Sequence, residues 1–355
     1  MQPTVAIIIP AYNAGSTIAA CIDACLNQSY PIDDVIVVDD GSTDDTADVS
    51  KSFPVTYIYQ ENGGPAAARN HGSRIADSDI IAFTDSDCIP ETDWIEHLVS
   101  GFGEGVVGVG GTYTIANPES VLAGLIQAEI EYRHALFETE VDFLGSFNVA
   151  YLKSAYDLAG GFDETFKKAS GEDNDLAYRL QDNGGILRFI KEARVAHHHP
   201  DKMWNYLRTQ ARHGFWRVKI YVNHPNRRSG DQYAGKAELW APPAAILELF
   251  FYLLVIVSVS VEIAGRAFDL ESPIGAFGKL AVLACIVVML PVSIFFSRVR
   301  YRLQRNVMMH NAQNEYKYLG TFWAWPLYFF RDVARGLGLI AGLAYYGTFV
   351  RERRS

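Results

Sequence analysis

The sequence has little cysteine, and none of it is patterned. Cys21, Cys25, Cys88 and Cys285 are its four cysteines, and their spacing fits neither a zinc site nor a disulfide framework. A reducing compartment is the simplest expectation. No basic stretch precedes the apolar run Val5–Ile9, so no signal peptide is expected. No Gly-x-Gly-x-x-Gly follows that run and no P-loop occurs, which removes the ordinary dinucleotide and ATP fingerprints. Positive charge is scarce at the front: residues 1–200 hold 11 Lys or Arg against 31 Asp or Glu. That imbalance argues against nucleic acid as a partner. Residues 201–355 reverse it, with 20 basic and 10 acidic side chains. A basic and strongly apolar rear half predicts contact with a membrane carrying anionic lipid.

What is present is an alternation of strand-like and helix-like stretches over the first part of 355 residues. Val5–Ile9, Val35–Val38, Val55–Tyr59 and Ile80–Thr84 read as strands. Thr17–Asn27, Thr43–Ser52 and Gly63–Ile75 read as helices, with Ser42 or Thr43 capping the second. This order predicts an α/β fold built on a mostly parallel, doubly wound sheet. Gly101–Gly105 reads as a loop.

Chemistry gathers at the ends of those strands. Asp85-Ser86-Asp87 follows a buried strand, where open α/β sheets bind ligands. Two acids spaced i, i+2 there suit Mg²⁺ or Mn²⁺ shared with substrate phosphates, although a solvated acidic turn has the same spelling. Tyr12 can stack on a base and Asp40 can accept from one, or both can be turn residues. The small residues Gly63–Ala68 allow close approach. Arg69 after them offers a diphosphate its fork of donors, unless it is a surface arginine. Asp173, in Gly171-Glu172-Asp173-Asn174, opens a helix, with Ser170 at capping-box spacing. It fits a general base better than a cap alone, given the nearby metal acids. In His197-His198-His199, the first and third rings share a face, and a neutral imidazole can complete a metal site, or the triplet can simply face solvent.

Taken together these segments resemble an inverting, GT-A-fold glycosyltransferase of family 2. The resemblance covers residues 3–220 and rests on Pro10–Asn13, Val37–Ser42, Gly64–Asn70, Asp85–Asp87, Gly160–Glu164 and Glu172-Asp173. It implies a nucleoside-diphosphate sugar donor and a divalent cation, Mg²⁺ or Mn²⁺. Pro10, Tyr12, Asp40, Arg69, Asp85, Asn148 and Arg212 would border the donor. Asp85, Asp87 and His197 would hold the cation, and Asp173 with Glu172 would carry catalysis. Processive synthases of the family have Gln-x-x-Arg-Trp. Here Gln210-Ala211-Arg212 is followed by His213 and Gly214, with Trp216 displaced, which weakens that assignment.

The two-domain expectation is a cytoplasmic catalytic domain over residues 1–236 and a membrane domain over 237–355. Residues 244–264 and 280–296 read as spans. Arg227, Arg228 and Lys236 before them, and Arg298–Arg305 after them, place both flanks in the cytoplasm. Residues 321–350 read as an interfacial or re-entrant segment, with a third span as the alternative. The expected activity is sugar transfer to a hydroxyl of a lipid-linked or cell-envelope glycan at the inner membrane. Alternatives are a polyprenyl-phosphate glycosyltransferase, a processive synthase, or an inactive sugar-nucleotide-binding scaffold.

Overall fold

The apolar run at the start becomes the strand β1, Val5–Ala11, buried at every position. Its alternate residues feed two separate cores. Val5, Ile7, Ile9 and Ala11 pack on one face, and Ala6 and Ile8 on the other. A strand covered on both faces needs no polar alternation, which is why it reads as a continuous hydrophobic stretch. The computed structural model describes residues 2–227, 236–267, 287, 291–298, 300–302, 305–307 and 320–352. It forms two compact units: Met1–Asn205 with Lys219–Tyr233, and Tyr206–Val218 with Ala234–Ser355.

The first unit contains seven further strands: β2 (Asp34–Asp39), β3 (Thr56–Tyr59), β4 (Ile80–Thr84), β5 (Cys88–Pro90), β6 (Val106–Ile115), β7 (Asn148–Leu152) and β8 (Ile186–His197). Its helices are α1 (Ile18–Leu26), α2 (Thr46–Lys51), α3 (Pro65–Ile75), α4 (Trp94–Ser100), α5 (Val121–Ala135), α6 (Lys153–Leu158) and α7 (Glu172–Asp182). One sheet of eight strands runs in the order β3-β2-β1-β4-β7-β6-β8-β5. β1 pairs in parallel with β2 on one side and β4 on the other. The chain thus reverses its winding direction at β1, and a crevice opens beyond the carboxyl ends of β1 and β4. Tyr12 leaves the first of these ends and Asp85 the second.

The sheet is mixed rather than uniformly parallel, because β7 runs antiparallel to both β4 and β6. Asn148 opens β7 and is 1% exposed. Its amide nitrogen donates to the carbonyls of Thr112 and Ala193, each at 2.9 Å, and its oxygen accepts from Trp94 Nε1 at 2.7 Å. One side chain thereby fastens β7 to β6, β8 and α4.

Two expected helix caps are replaced. α2 begins three residues late, at Thr46, because Thr43 is held by Asn13 Oδ1 at 2.8 Å and Asp44 Oδ1 takes the Thr46 N–H at 3.1 Å. α7 is preceded by Gly171 at φ +92°, a left-handed conformation suited to glycine. Gly171 takes the N-cap position without a side-chain cap, and the Ser170 N–H donates to Glu172 Oε2 at 2.7 Å.

In the second unit, the helix Lys236–Ala267 contains Leu239–Val261. This is the one helix among the described residues that is long and apolar enough to cross a bilayer, with mean hydropathy 2.4. Phe250, Leu253, Ile256 and Val257 are exposed on it, whereas a soluble core helix would cover such residues. The stretch 321–350 lies in one helix, Gly320–Glu352. Its Phe329 and Val333 pack with Ala245 of the first helix. Buried charges also join the unit: Arg300 reaches Glu248 Oε2 at 2.8 Å and Asp332 Oδ2 at 3.1 Å. Residues 280–286 and 288–290 of the other expected span, and Arg228 of the basic border, lie outside the described residues.

Candidate active site

Asp85 and Asp87 leave β4 on the turn before β5. α3 delivers Arg69 to the same place, because Gly64 opens that helix at φ +94° and Pro65 fills its first position. The Arg69 guanidinium is 1% exposed. Nη2 donates to Asp85 Oδ1 at 2.7 Å, and Nη1 donates to Glu172 Oε1 at 3.0 Å. Its planar fork spans two carboxylates from different elements, as a lysine would not. Burial alone would lower the Arg69 pKa, but Asp85 and then Glu172 outweigh it and raise it.

Asp173 sits beside this bridge, at the first turn of α7. It is half-buried, and its Oδ1 accepts from the Asn174 N–H at 2.9 Å. Burial, followed by the neighbouring Glu172 charge, pushes its carboxyl up to about 7. A carboxylate at that value is half ionised near neutrality, which suits proton abstraction. Glu172 itself is closed in: Oε2 takes the Ser170 N–H and Oε1 takes Arg69.

The other half of the site lies along β5 and β8, which pair Cys88 with His197. His197 Nε2 lies 3.8 Å from Asp87 Oδ1. Ligand atoms of Asp87, Cys88 and His197 fall within 4.8 Å of one another. Cys88 is wholly buried in the core, and burial pushes its thiol up. The remaining carboxylate oxygen and imidazole nitrogen suit a hard or borderline divalent cation. Burial also raises the Asp87 carboxyl against the pull of His197. Asp85 does not join this cluster; one of its oxygens is spent on Arg69. His199, on the same face as His197, is lowered to about 3 by burial and then by the neighbouring histidines, and stays neutral.

The remaining expected residues fall in four places. Pro10 is buried in β1 opposite Val38, and Tyr12 beyond it is 52% exposed. Asp40 is buried and takes the N–H groups of Gly63 and Gly64 at 2.8 and 2.9 Å, plus Gln60 Nε2 at 2.7 Å. It therefore ties the loop before α3 to the end of β2. Asn148 fastens strands, as described above. Arg212 belongs to the second unit, where it donates to Thr209 Oγ1 at 2.8 Å. In the same unit Gln210 Oε1 accepts from Arg335 Nε at 2.7 Å.

Sequence reasoning passed over Asn70 and Phe162. Asn70 Oδ1 accepts from the Phe162 N–H at 2.9 Å and its amide donates back to the Phe162 carbonyl at 2.9 Å. This sets the Phe162 ring 5.4 Å from the Arg69 guanidinium. The available signal was position: Asn70 directly follows Arg69, and Phe162 lies inside Gly160–Glu164.

Comparison with known proteins agrees with this geometry. Residues 6–171 match the family model described as glycosyl transferase family 2. The chain is 33% identical over 207 residues to the pre-mycofactocin glycosyltransferase of Mycobacterium tuberculosis, covering 54% of this chain and 43% of that protein. It is 28% identical over 230 residues to the validoxylamine A glucosyltransferase of Streptomyces hygroscopicus, covering 54% of each. The chain thus spans about half the length of these relatives. Its fold is similar to that of a mannosyltransferase from Pyrobaculum calidifontis solved with GDP-Man and Mn²⁺. The TM-score there is 0.51 at 17% identity, over 95% of this chain and 88% of that one. The family 2 glycosyltransferase model thus matches a little under half of the chain, and the likeness to the solved mannosyltransferase is one of fold.

Proposed function

We propose that the chain is a metal-dependent, inverting glycosyltransferase of a cell membrane. It moves a sugar from a nucleoside-diphosphate sugar to a hydroxyl of a lipid-linked or cell-envelope glycan. The carrying observation is the ion bridge Asp85–Arg69–Glu172 with Asp173 beside it. Residues from β4, α3 and α7 meet there beyond the crevice where the winding reverses.

In this reading Tyr12 stacks on the donor base, and the loop tied to Asp40 borders it. Asp87 and His197 would hold the divalent cation, with Asp85 beside them; when bound it supplies positive charge against the donor diphosphate. Asp173 takes the proton of the acceptor hydroxyl as that oxygen attacks the anomeric carbon from the face opposite the diphosphate. The C–O bond to the diphosphate breaks as the new one forms, and the anomeric configuration inverts. Arg69 keeps Asp85 in place and opposes the rise that burial imposes on the Glu172 carboxyl, and charge on Glu172 keeps Asp173 basic. Arg212 stays a candidate donor contact. A raised carboxyl at Asp173 favours a hydroxyl acceptor over a polyprenyl phosphate, whose oxygen is already ionised and needs no base.

The apolar helix Leu239–Val261 supports attachment to a membrane. The basic borders around the expected spans favour a cytoplasmic catalytic domain. The test is a thermal-shift screen of nucleotide sugars with Mn²⁺ and Mg²⁺. A donor that binds the native fold raises its midpoint by mass action, and that donor is then assayed for transfer. Binding without turnover on any acceptor would favour the scaffold alternative.

A further inference from the structure

The histidine triplet contains one buried ring that this chemistry leaves unused. His199 is 3% exposed, and its place is fixed by two sets of bonds. Its N–H donates to Asn117 Oδ1 at 3.1 Å, and the Asn117 amide donates to its carbonyl at 2.9 Å. Its ring joins two side chains: Nε2 meets Gln127 Oε1 at 2.9 Å, and Nδ1 meets His197 Nδ1 at 3.1 Å.

The proton positions along this row follow from its far end. Gln127 Nε2 donates to the Tyr113 carbonyl at 3.0 Å and to Glu131 Oε1 at 2.9 Å. Both of those atoms are acceptors, so the amide nitrogen must face them and the amide oxygen must face His199. An amide oxygen only accepts, so His199 Nε2 carries a hydrogen. A neutral imidazole has one N–H, which makes His199 Nδ1 an acceptor. The contact between the two Nδ1 atoms then needs its proton on His197. In a neutral ring that leaves the His197 lone pair on Nε2, the atom facing Asp87 Oδ1 at 3.8 Å. A charged ring at His199 would reverse the order. Its ring partners are an amide oxygen and another imidazole, and burying a charge against them is costly.

We propose that Gln127 and His199 are positioning residues that set the tautomer of His197, presenting Nε2 as a lone pair to the cation shared with Asp87. The proposal rests on the reading of Asp87 and His197 as cation ligands. It adds the device that orients the second of them. A ligating histidine commonly has its other nitrogen hydrogen-bonded, which fixes the tautomer. Here the partner is a second imidazole, itself set by an amide from α5.

The experiment starts on the metal-free full chain in detergent. Nitrogen-edited NMR of its histidines, with His197 assigned by signal loss in His197→Asn, should show the proton of His197 on Nδ1 and that of His199 on Nε2. A proton on Nε2 of His197 overturns the proposal. Mn²⁺ affinity is then measured by electron paramagnetic resonance titration. His199→Phe and Gln127→Leu should weaken it about 10- to 100-fold. Unchanged Mn²⁺ affinity in a His199→Phe chain that keeps its thermal midpoint also overturns it. If His199→Phe does not fold, the tautomer in the unaltered chain decides. Failure to transfer sugar from any donor, with the tautomers as stated, would count against the glycosyltransferase reading alone.

Discussion

Arg69 and Glu172 are separated by 103 residues in sequence, yet their side chains meet at 3.0 Å with both ends buried. The pair brings the helix after the glycine loop to the helix that begins with Glu172 and Asp173. It leaves the second Arg69 nitrogen for Asp85. Breaking a buried pair by removing one partner strands the other charge, at a cost of about 3–5 kcal/mol. Arg69→Met is therefore expected to lower stability by that order and to abolish transfer. Arg69→Lys should recover little of either, since an ammonium cannot span both carboxylates. Denaturant unfolding of the three chains measures this.

The raised carboxyl of Asp173 gives a pH profile. Transfer needs its ionised form, so kcat/KM should rise with pH and level off above about 7. The Glu172 charge helps hold that value up. Glu172→Gln should therefore move the rising limb to lower pH in whatever activity remains. A profile flat between pH values well below and well above the limb would remove Asp173 from the base role.

The same group ties stability to pH in the opposite sense. Its folded pKa lies above its unfolded one, so its contribution is full at acid pH and is lost as pH rises through about 7. Asp173→Asn removes the buried charge. It should match the unaltered chain at acid pH and exceed its stability above neutrality, by about 1–3 kcal/mol after allowance for partial exposure. Its transfer rate should fall by about 10²–10⁴. Thermal midpoints across pH, read beside turnover, test both halves.

Asn148→Ala would leave Trp94 Nε1 and two strand carbonyls without their partner. Each stranded buried group costs about 1–3 kcal/mol. The substitution should act on unfolding free energy before it acts on donor binding. A variant of normal stability that has lost donor affinity would instead return Asn148 to the sugar site.

The legible part of this fold was the part buried on both faces. β1, β2 and β4 are continuous apolar runs, and the acids and small residues behind them announce the crevice. β6 was not legible, because Gly108, Gly110 and Gly111 interrupt its pattern to let neighbouring strands pass closely. β7 opens on a buried asparagine and runs against its neighbours, which no local pattern states. Asp85, Asp87 and Asp173 could be named from spelling. That Arg69 turns to two carboxylates, and that Gln127 on α5 reaches His199, depends on contacts across 103 and 72 residues. In the second unit, hydropathy pointed to 244–264, which overlaps the apolar stretch Leu239–Val261, while the buried Glu248–Arg300–Asp332 network left no periodic trace.

The stereochemistry of one turnover is the most direct measurement. The full chain in detergent, with Mn²⁺ and the donor that stabilises it, should transfer sugar with inversion at the anomeric carbon, read by NMR of the first product formed. Transfer should stop in Asp173→Asn while the donor still binds. Retention of configuration, or undiminished transfer by Asp173→Asn, would contradict it.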